Sequence, residues 1–206
     1  MCKLLVEQGS GVDVCGQNGE SVLHMALKEE THNNSEPTGE ETSENAINEI
    51  VEYLLGQGAC VDLVDIEGCT PLHYAALHGN VQSAKLLISG EEPIQKYKTL
   101  MKQDRAGKTS LHIASEYGHV GVAKLLIEAG FQSQTDDDGL PCNLQLSTEV
   151  AIENEFDVNL GGSLHDKTHL NMKDNIGYTS LHYAAQNKHV EMCKLLVEHG
   201  AGNTCC

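Results

Sequence analysis

The residues best suited to chemistry are eleven histidines and eight cysteines in a chain of 206 residues. Both types bind zinc when pairs of them project from one turn or one helix face. Their spacing argues against that use. No Cys-x-x-Cys and no His-Glu-x-x-His occurs, and Cys60, Cys69 and His73 fit no usual zinc knuckle. Gly107-Lys108-Thr109 resembles the tail of a phosphate-binding loop, but the first glycine of that motif would fall at position 102, a lysine. No Gly-x-Ser-x-Gly nucleophile elbow is present. The acids lie mostly in loop-like text, so no carboxylate pair is assignable to acid–base work. The expectation is no catalytic residue, no cofactor, no metal and no enzymatic activity.

The histidines are instead periodic, which turns attention to the elements that hold them. Leu-His recurs at 23–24, 72–73, 111–112 and 181–182, each time within nearly fixed text: Gly68-Cys-Thr-Pro-Leu-His-Tyr-Ala-Ala, Gly107-Lys-Thr-Ser-Leu-His-Ile-Ala-Ser, Gly177-Tyr-Thr-Ser-Leu-His-Tyr-Ala-Ala. A second motif, Lys-Leu-Leu or Tyr-Leu-Leu, follows at 3–5, 53–55, 85–87, 124–126 and 194–196. Ser21, Thr70, Thr109 and Thr179 suit a helix N-cap, because a hydroxyl oxygen can accept a bond from a free helix N–H. Pro71 suits the first helical position, where its missing N–H costs nothing. The Ala pairs keep the first helix thin. A glycine after each second helix (Gly9, Gly58, Gly90, Gly130, Gly200) suits a left-handed C′ position. Asp65-Ile-Glu-Gly68, Asp104-Arg-Ala-Gly107 and Asp174-Asn-Ile-Gly177 are turn signals. His119 and His189 occupy a second recurrent place, at the start of the second helix.

These motifs resemble the ankyrin repeat, about 33 residues long with a T-P-L-H-x-A signature. The resemblance covers roughly three quarters of the chain and implies an all-α repeat solenoid: hairpin-like fingers, each followed by two antiparallel helices. It also implies that the motif histidines (His24, His73, His112, His182) serve local hydrogen bonding beside Leu23, Leu72, Leu111 and Leu181. Leu72, Leu111 and Leu181 are expected in the core.

Spacing locates the departures. His73, His112 and His182 each precede the leucine pair by 13 residues, whereas His24 precedes Tyr53 by 29. The excess reads as a solvated loop over 29–44. Six residues are added near 91–97, in the finger region, and a longer excess follows residue 131. The array divides into a half repeat over 1–12, a repeat over 13–61 carrying the loop 29–44, repeats over 62–101 and 102–131, a degenerate repeat over 132–169, and a last repeat over 170–206. Long structureless loops are uncommon, which favours a degenerate repeat over a loop for 132–169. Met1–Gly9 and Met192–Gly200 differ only at Gln8 and His199. The chain thus reads as starting inside a second helix, and with no polar cap evident at either end a segment of a longer array is expected.

The net charge is −17, which excludes a general nucleic-acid binder because phosphate attraction needs a basic face. The acidity sits in 29–44, with six acids, and 131–166, with eight; neither holds a Lys or Arg. Thr31, Ser35, Thr38, Thr42 and Ser43 in the first of these read either as phosphorylation sites or, more simply, as part of an inert flexible loop. Lys96, Lys98, Lys102, Arg105 and Lys108 form one basic cluster, read either as an anchor for an acidic partner or as a solvated finger balanced by Asp136, Asp137 and Asp138. No secretory signal and no membrane-length apolar run is evident, so reduced thiols and a cytoplasmic or nuclear place are expected. Cys205-Cys206 resembles a doubly prenylated end, but the fold that such prenylation depends on is missing.

By resemblance, partner-binding residues lie at finger tips and on the exposed turn of the first helix. They are Gln17, Asn18, Glu20, Lys28 and Glu29; Ile66, Glu67, Cys69, Leu77 and His78; Arg105, Ala106, Lys108, Glu116 and Tyr117; Asn175, Ile176, Tyr178, Gln186 and Asn187. The degenerate repeat is expected to separate the last group from the others. The resulting function is a non-catalytic adaptor or scaffold that binds a protein partner, as a monomer or as part of a longer array. The alternative is a regulatory or anchoring segment of a larger enzyme, channel or effector.

Overall fold

The computed structural model describes residues 11–28, 40–89, 93–132 and 168–202. It is helical, with one isolated bridge between Cys15 and Ser21 and no strand among the described residues. Among the described residues ten helices follow in order: α1 (Val22–Leu27), α2 (Glu40–Gly56), α3 (Pro71–His78), α4 (Val81–Ser89), α5 (Pro93–Met101), α6 (Ser110–Tyr117), α7 (Val120–Gln132), α8 (Thr168–Asn171), α9 (Ser180–Gln186) and α10 (Val190–Glu198). They stack in two layers. First helices pack as α1–α3–α6–α9, and second helices as α2–α4–α7–α10.

Each first helix starts with the same local device. Ser21, Thr70, Thr109 and Thr179 are N-caps with extended backbone. The histidine three residues on folds back, and its Nδ1 accepts the cap residue's backbone N–H, at 3.0 Å for His24 and 3.1 Å for His73. The cap hydroxyl sits 2.7–2.8 Å from the same nitrogen. This is a capping box with histidine in the usual Glu or Gln position.

The core lies between the layers. Leu23, Leu54, Leu72, Leu87, Leu126 and Leu196 are fully buried, and so are Ala75, Ala76, Ala114 and Ala184. The alanines let first helices approach closely. Gly79 and Gly118 close α3 and α6 at φ +72° and +76°. A Cβ there would meet the ring of His119 at 2.5 Å or of His189 at 2.7 Å. Both positions therefore need glycine twice, for the left-handed backbone and for the close approach.

Several expectations change. Residues 40–44 belong to α2, so the insertion is not all loop, and residues 29–39 lie outside the described residues. Of the added residues near 91–97, those from Pro93 on belong to α5, a helix ahead of the finger; residues 91 and 92 lie outside the described residues. Gly130 lies inside α7, where its Cβ would be 2.8 Å from His169, so it permits a close approach and is not a C′ residue. Leu181 is only half-buried, because no repeat covers it in the described chain.

The expected degenerate repeat over 132–169 falls almost entirely on residues that are not described. Residues 133–167 lie outside the described residues, and so does the question of what they form. The repeats on either side touch directly. Asn175 N–H donates to the Ala106 carbonyl at 3.1 Å, Asn175 Nδ2 donates to the Arg105 carbonyl at 2.8 Å, and Gln103 Nε2 donates to the Lys173 carbonyl at 3.1 Å. Among the described residues these two repeats are direct neighbours, and the last group of candidate residues is continuous with the others.

Candidate functional site: the finger and first-helix face

Each finger is braced by its own aspartate. Asp65 Oδ1 accepts the N–H groups of Glu67 and Cys69, both at 2.9 Å. Asp104 holds Ala106 and Lys108 in the same way, and Asp174 holds Ile176 and Tyr178. Asp65 Oδ2 also accepts from the Tyr74 hydroxyl at 2.9 Å, and Asp174 Oδ2 from the Tyr183 hydroxyl at 2.6 Å. Burial pushes the Asp174 carboxyl up, but the bonds from Tyr183, Tyr178 and Ile176 outweigh it and leave it below its ordinary value. Burial first, and then the Asp174 bond, raises the Tyr183 phenol.

The fingers are then joined edge to edge. Ile66 N–H donates to the Asn18 carbonyl at 2.9 Å, Arg105 to Glu67 at 2.8 Å, and Asn175 to Ala106 at 3.1 Å. Three of the motif histidines, His24, His73 and His112, bind the next finger with their other nitrogen. His24 Nε2 lies 2.9 Å from the Cys69 carbonyl and His73 Nε2 3.1 Å from that of Lys108. His112 Nε2 lies 3.0 Å from the Met172 carbonyl and 3.2 Å from that of Tyr178. A nitrogen facing a carbonyl must carry the proton, so Nε2 donates and Nδ1 accepts. Burial holds His73 and His112 below their ordinary pKa, which suits this neutral form. His119 and His189 donate backward, to the carbonyls of Leu77 at 3.0 Å and Glu116 at 2.9 Å.

On this frame the candidate side chains divide. Ile66, Tyr117, Ile176 and Tyr178 are exposed apolar or aromatic groups, Ile176 at 70 %. Tyr117 stacks on His119 and Tyr178 on His182. Gln17, Asn18, Glu67, Arg105, Ala106, Asn175, Gln186 and Asn187 are exposed, while Cys69, Leu77 and His78 are half-buried. Glu29 lies outside the described residues. Lys28 pairs with Glu20 at 2.7 Å, and Lys108 with Glu116 at 2.7 Å. Burial lowers the Lys108 amine, but Glu116 outweighs it and holds it above its ordinary value. Lys108 also lies 4.5 Å from the centre of the Tyr183 ring.

The basic cluster is not one patch. Lys96 and Lys98 are half-buried on α5, Lys102 and Arg105 are exposed beyond it, and Lys108 is committed to Glu116. Sequence reasoning missed the Asp–Tyr locks, although a tyrosine nine residues after the aspartate marks both of them and Ile113 breaks the pattern. It also missed the opposite charges eight residues apart, at 20 and 28 and again at 108 and 116. An open groove of about 490 Å3 lies on the other side, between α2 and α4, lined by Leu55, Ala59, Cys60, Val61 and Leu86 among others. Among the described residues no cluster of His, Cys, Asp and Glu could hold a metal, and no helix is long and apolar enough to cross a membrane.

Stacked helix pairs with laddered fingers and the repeated Leu-His cap define a helical repeat protein. A family model described as "Ankyrin repeats (3 copies)" matches residues 41–137, and one described as "Ankyrin repeat" matches residues 176–206. The chain belongs to the ankyrin repeat family. It is also similar to the "Ankyrin repeat and LEM domain-containing protein 1 homolog" of Caenorhabditis elegans, 50% identical over 42 residues. That match covers 20% of this chain and 6% of the relative, so the chain spans only a small part of that protein's length. Ankyrin repeats are generally protein–protein interaction modules, and the family is generally non-catalytic.

Proposed function

We propose that this chain is a non-catalytic adaptor of the cytoplasm or nucleus that holds a protein partner on its finger and first-helix face. One observation carries the reading. The finger ladder brings the candidate residues of four repeats onto one continuous surface, including the last repeat across the long insertion. Glu20–Lys28 and Lys108–Glu116 neutralise each other within the chain. Ile66, Leu77, Tyr117 and Tyr178 then supply the binding energy, as buried aromatic and aliphatic anchors do in interfaces. The experiment is a pull-down from lysate of the source organism, with the native chain, an Ile66/Leu77/Tyr117/Tyr178→Ala variant and a Lys124/Glu128→Ala control on the second-helix side. A stoichiometric partner held by the native chain and the control but lost by the first variant supports the reading. A partner lost only by the control overturns it.

A second reading makes the array a regulatory or anchoring part of a larger protein. The 6% share of the C. elegans relative that the match covers favours it. In that case no partner would be captured by these residues alone.

A further inference from the structure

Two repeat interfaces in this chain are built to one plan and differ in charge. At the third finger, Lys108 stands between Gly107 and the cap Thr109 and reaches across to the last repeat. Its Nζ lies 4.5 Å from the centre of the Tyr183 ring and 2.7 Å from the Glu116 carboxylate. The Tyr183 hydroxyl is held by Asp174, and its ring meets His112 edge-on with the ring centres 6.0 Å apart. With the lysine over it, Tyr183 is only 6 % exposed.

At the first finger the same places are filled with the charges exchanged. Glu20 stands between Gly19 and the cap Ser21, as Lys108 does in its own repeat, and Lys28 stands eight residues on, as Glu116 does. The two pair at 2.7 Å through Glu20 Oε1, which leaves Oε2 without a partner among the described residues. Tyr74 follows His73 as Tyr183 follows His182. Its hydroxyl is held by Asp65 at 2.9 Å, and its ring meets His24 edge-on at 5.5 Å. No cation lies over the Tyr74 ring among the described residues, and Tyr74 is half-buried. Burial and then the Asp65 bond raise its phenol, and Cys69 and Glu20 add to the rise, whereas Lys108 pulls the Tyr183 phenol down.

This place lies between two neighbouring repeats and at neither end of the array. The bond from Ile66 N–H to the Asn18 carbonyl and the bond from His24 to the Cys69 carbonyl join the two repeats there. The stretch after Lys28, residues 29–39, holds no Lys or Arg. The interface between the second and third repeats has Cys69 and Ile113 in the two places, so it offers neither the charge nor the ring.

We propose that the Tyr74 ring and the Glu20 carboxylate form the seat of an arginine side chain of the protein partner, the foreign counterpart of Lys108 on Tyr183. The inference rests on the reading above that this face holds a protein partner. An arginine suits the seat better than a lysine. Its planar guanidinium lies flat on a ring and still directs N–H groups sideways, here to Glu20 Oε2. Lys28 keeps Oε1, so the native ion pair need not break. The net charge of −17 draws a basic segment toward the chain.

NMR titration of the full chain with N-acetyl-arginine amide tests this, with N-acetyl-citrulline amide as the uncharged isostere. The Tyr74 ring signals are expected to shift saturably with the arginine probe, in the millimolar range that one ring contact and one charged bond give, and to respond far less to citrulline. The exchange variant Glu20→Lys/Lys28→Glu keeps an ion pair and the net charge but puts the chain's own cation at Tyr74. It is expected to bind the probe about tenfold more weakly. Glu20→Gln is expected to weaken binding in the same direction, and it replaces the exchange variant if circular dichroism shows that the latter unfolds. A Tyr74 ring that shows no saturable shift, an equal response to citrulline, or undiminished binding by the folded variants each overturns the proposal. A stoichiometric partner captured in the pull-down without any arginine shift at Tyr74 overturns this inference and leaves the adaptor reading standing. An arginine shift with no captured partner counts against the adaptor reading and leaves the seat standing.

Discussion

The Nε2 of His73 donates to the carbonyl of Lys108 at 3.1 Å, across 35 positions of sequence. The same ring accepts the Thr70 N–H through Nδ1 at 3.1 Å. One side chain therefore starts its own helix and fastens the following repeat. This explains how an array with few aromatics keeps its repeats in register.

Replacing that ring strands the Thr70 N–H and the Lys108 carbonyl in a buried place, each at about 1–3 kcal/mol. His73→Leu should destabilise by about 2–4 kcal/mol. His182→Leu should cost less, about 1 kcal/mol, because His182 is exposed and only its cap contacts with Thr179 and its stacking on Tyr178 are lost. Urea unfolding of the two variants checks the contrast, and equal losses would refute the stacking role.

His73 and His112 are held below the ordinary value of 6.5, by burial first, against the opposing pull of Asp65 and Asp104 on His73 and of Asp174 on His112. Between the folded value and 6.5 the unfolded chain binds more protons than the folded one. Stability is therefore fully present above about pH 6.5 and falls as pH drops below it. The depressed Asp174 carboxyl acts in a separate window, below its ordinary 3.8. Urea midpoints measured from pH 7.5 down to 5 should decline, and NMR titration should place both imidazoles below 6.5.

Gly79→Ala combines a positive φ with a Cβ 2.5 Å from the His119 ring. Gly177→Ala has a positive φ and open space. Strain alone costs about 1–2 kcal/mol, so thermal denaturation should show Gly177→Ala losing that much and Gly79→Ala clearly more.

The Cys69 thiol is pushed up to about 12, by burial first and then by Asp65. Only the thiolate is nucleophilic. Under limiting iodoacetamide at pH 8, mass spectrometry should find the exposed Cys15 and Cys60 alkylated well before Cys69. Equal rates would show that the finger opens freely.

Much of this protein is local and could be read from residue order. The Thr70-x-x-His73 box closes over three positions, so its geometry is encoded wherever those residue types recur at that spacing. The family, the caps, the fully buried Leu72 and the aspartate turns of the fingers all follow from such short-range chemistry. Choice of neighbour is another matter. Whether Leu181 is covered, whether Lys108 is free or held by Glu116, and whether the last repeat touches the third across residues 133–167 depend on surfaces far apart in sequence. Spacing suggested an interposed repeat there, while the Asn175–Ala106 bond joins the two fingers directly. Burial belongs to the neighbour that a residue meets, and only the tertiary structure decides which neighbour that is.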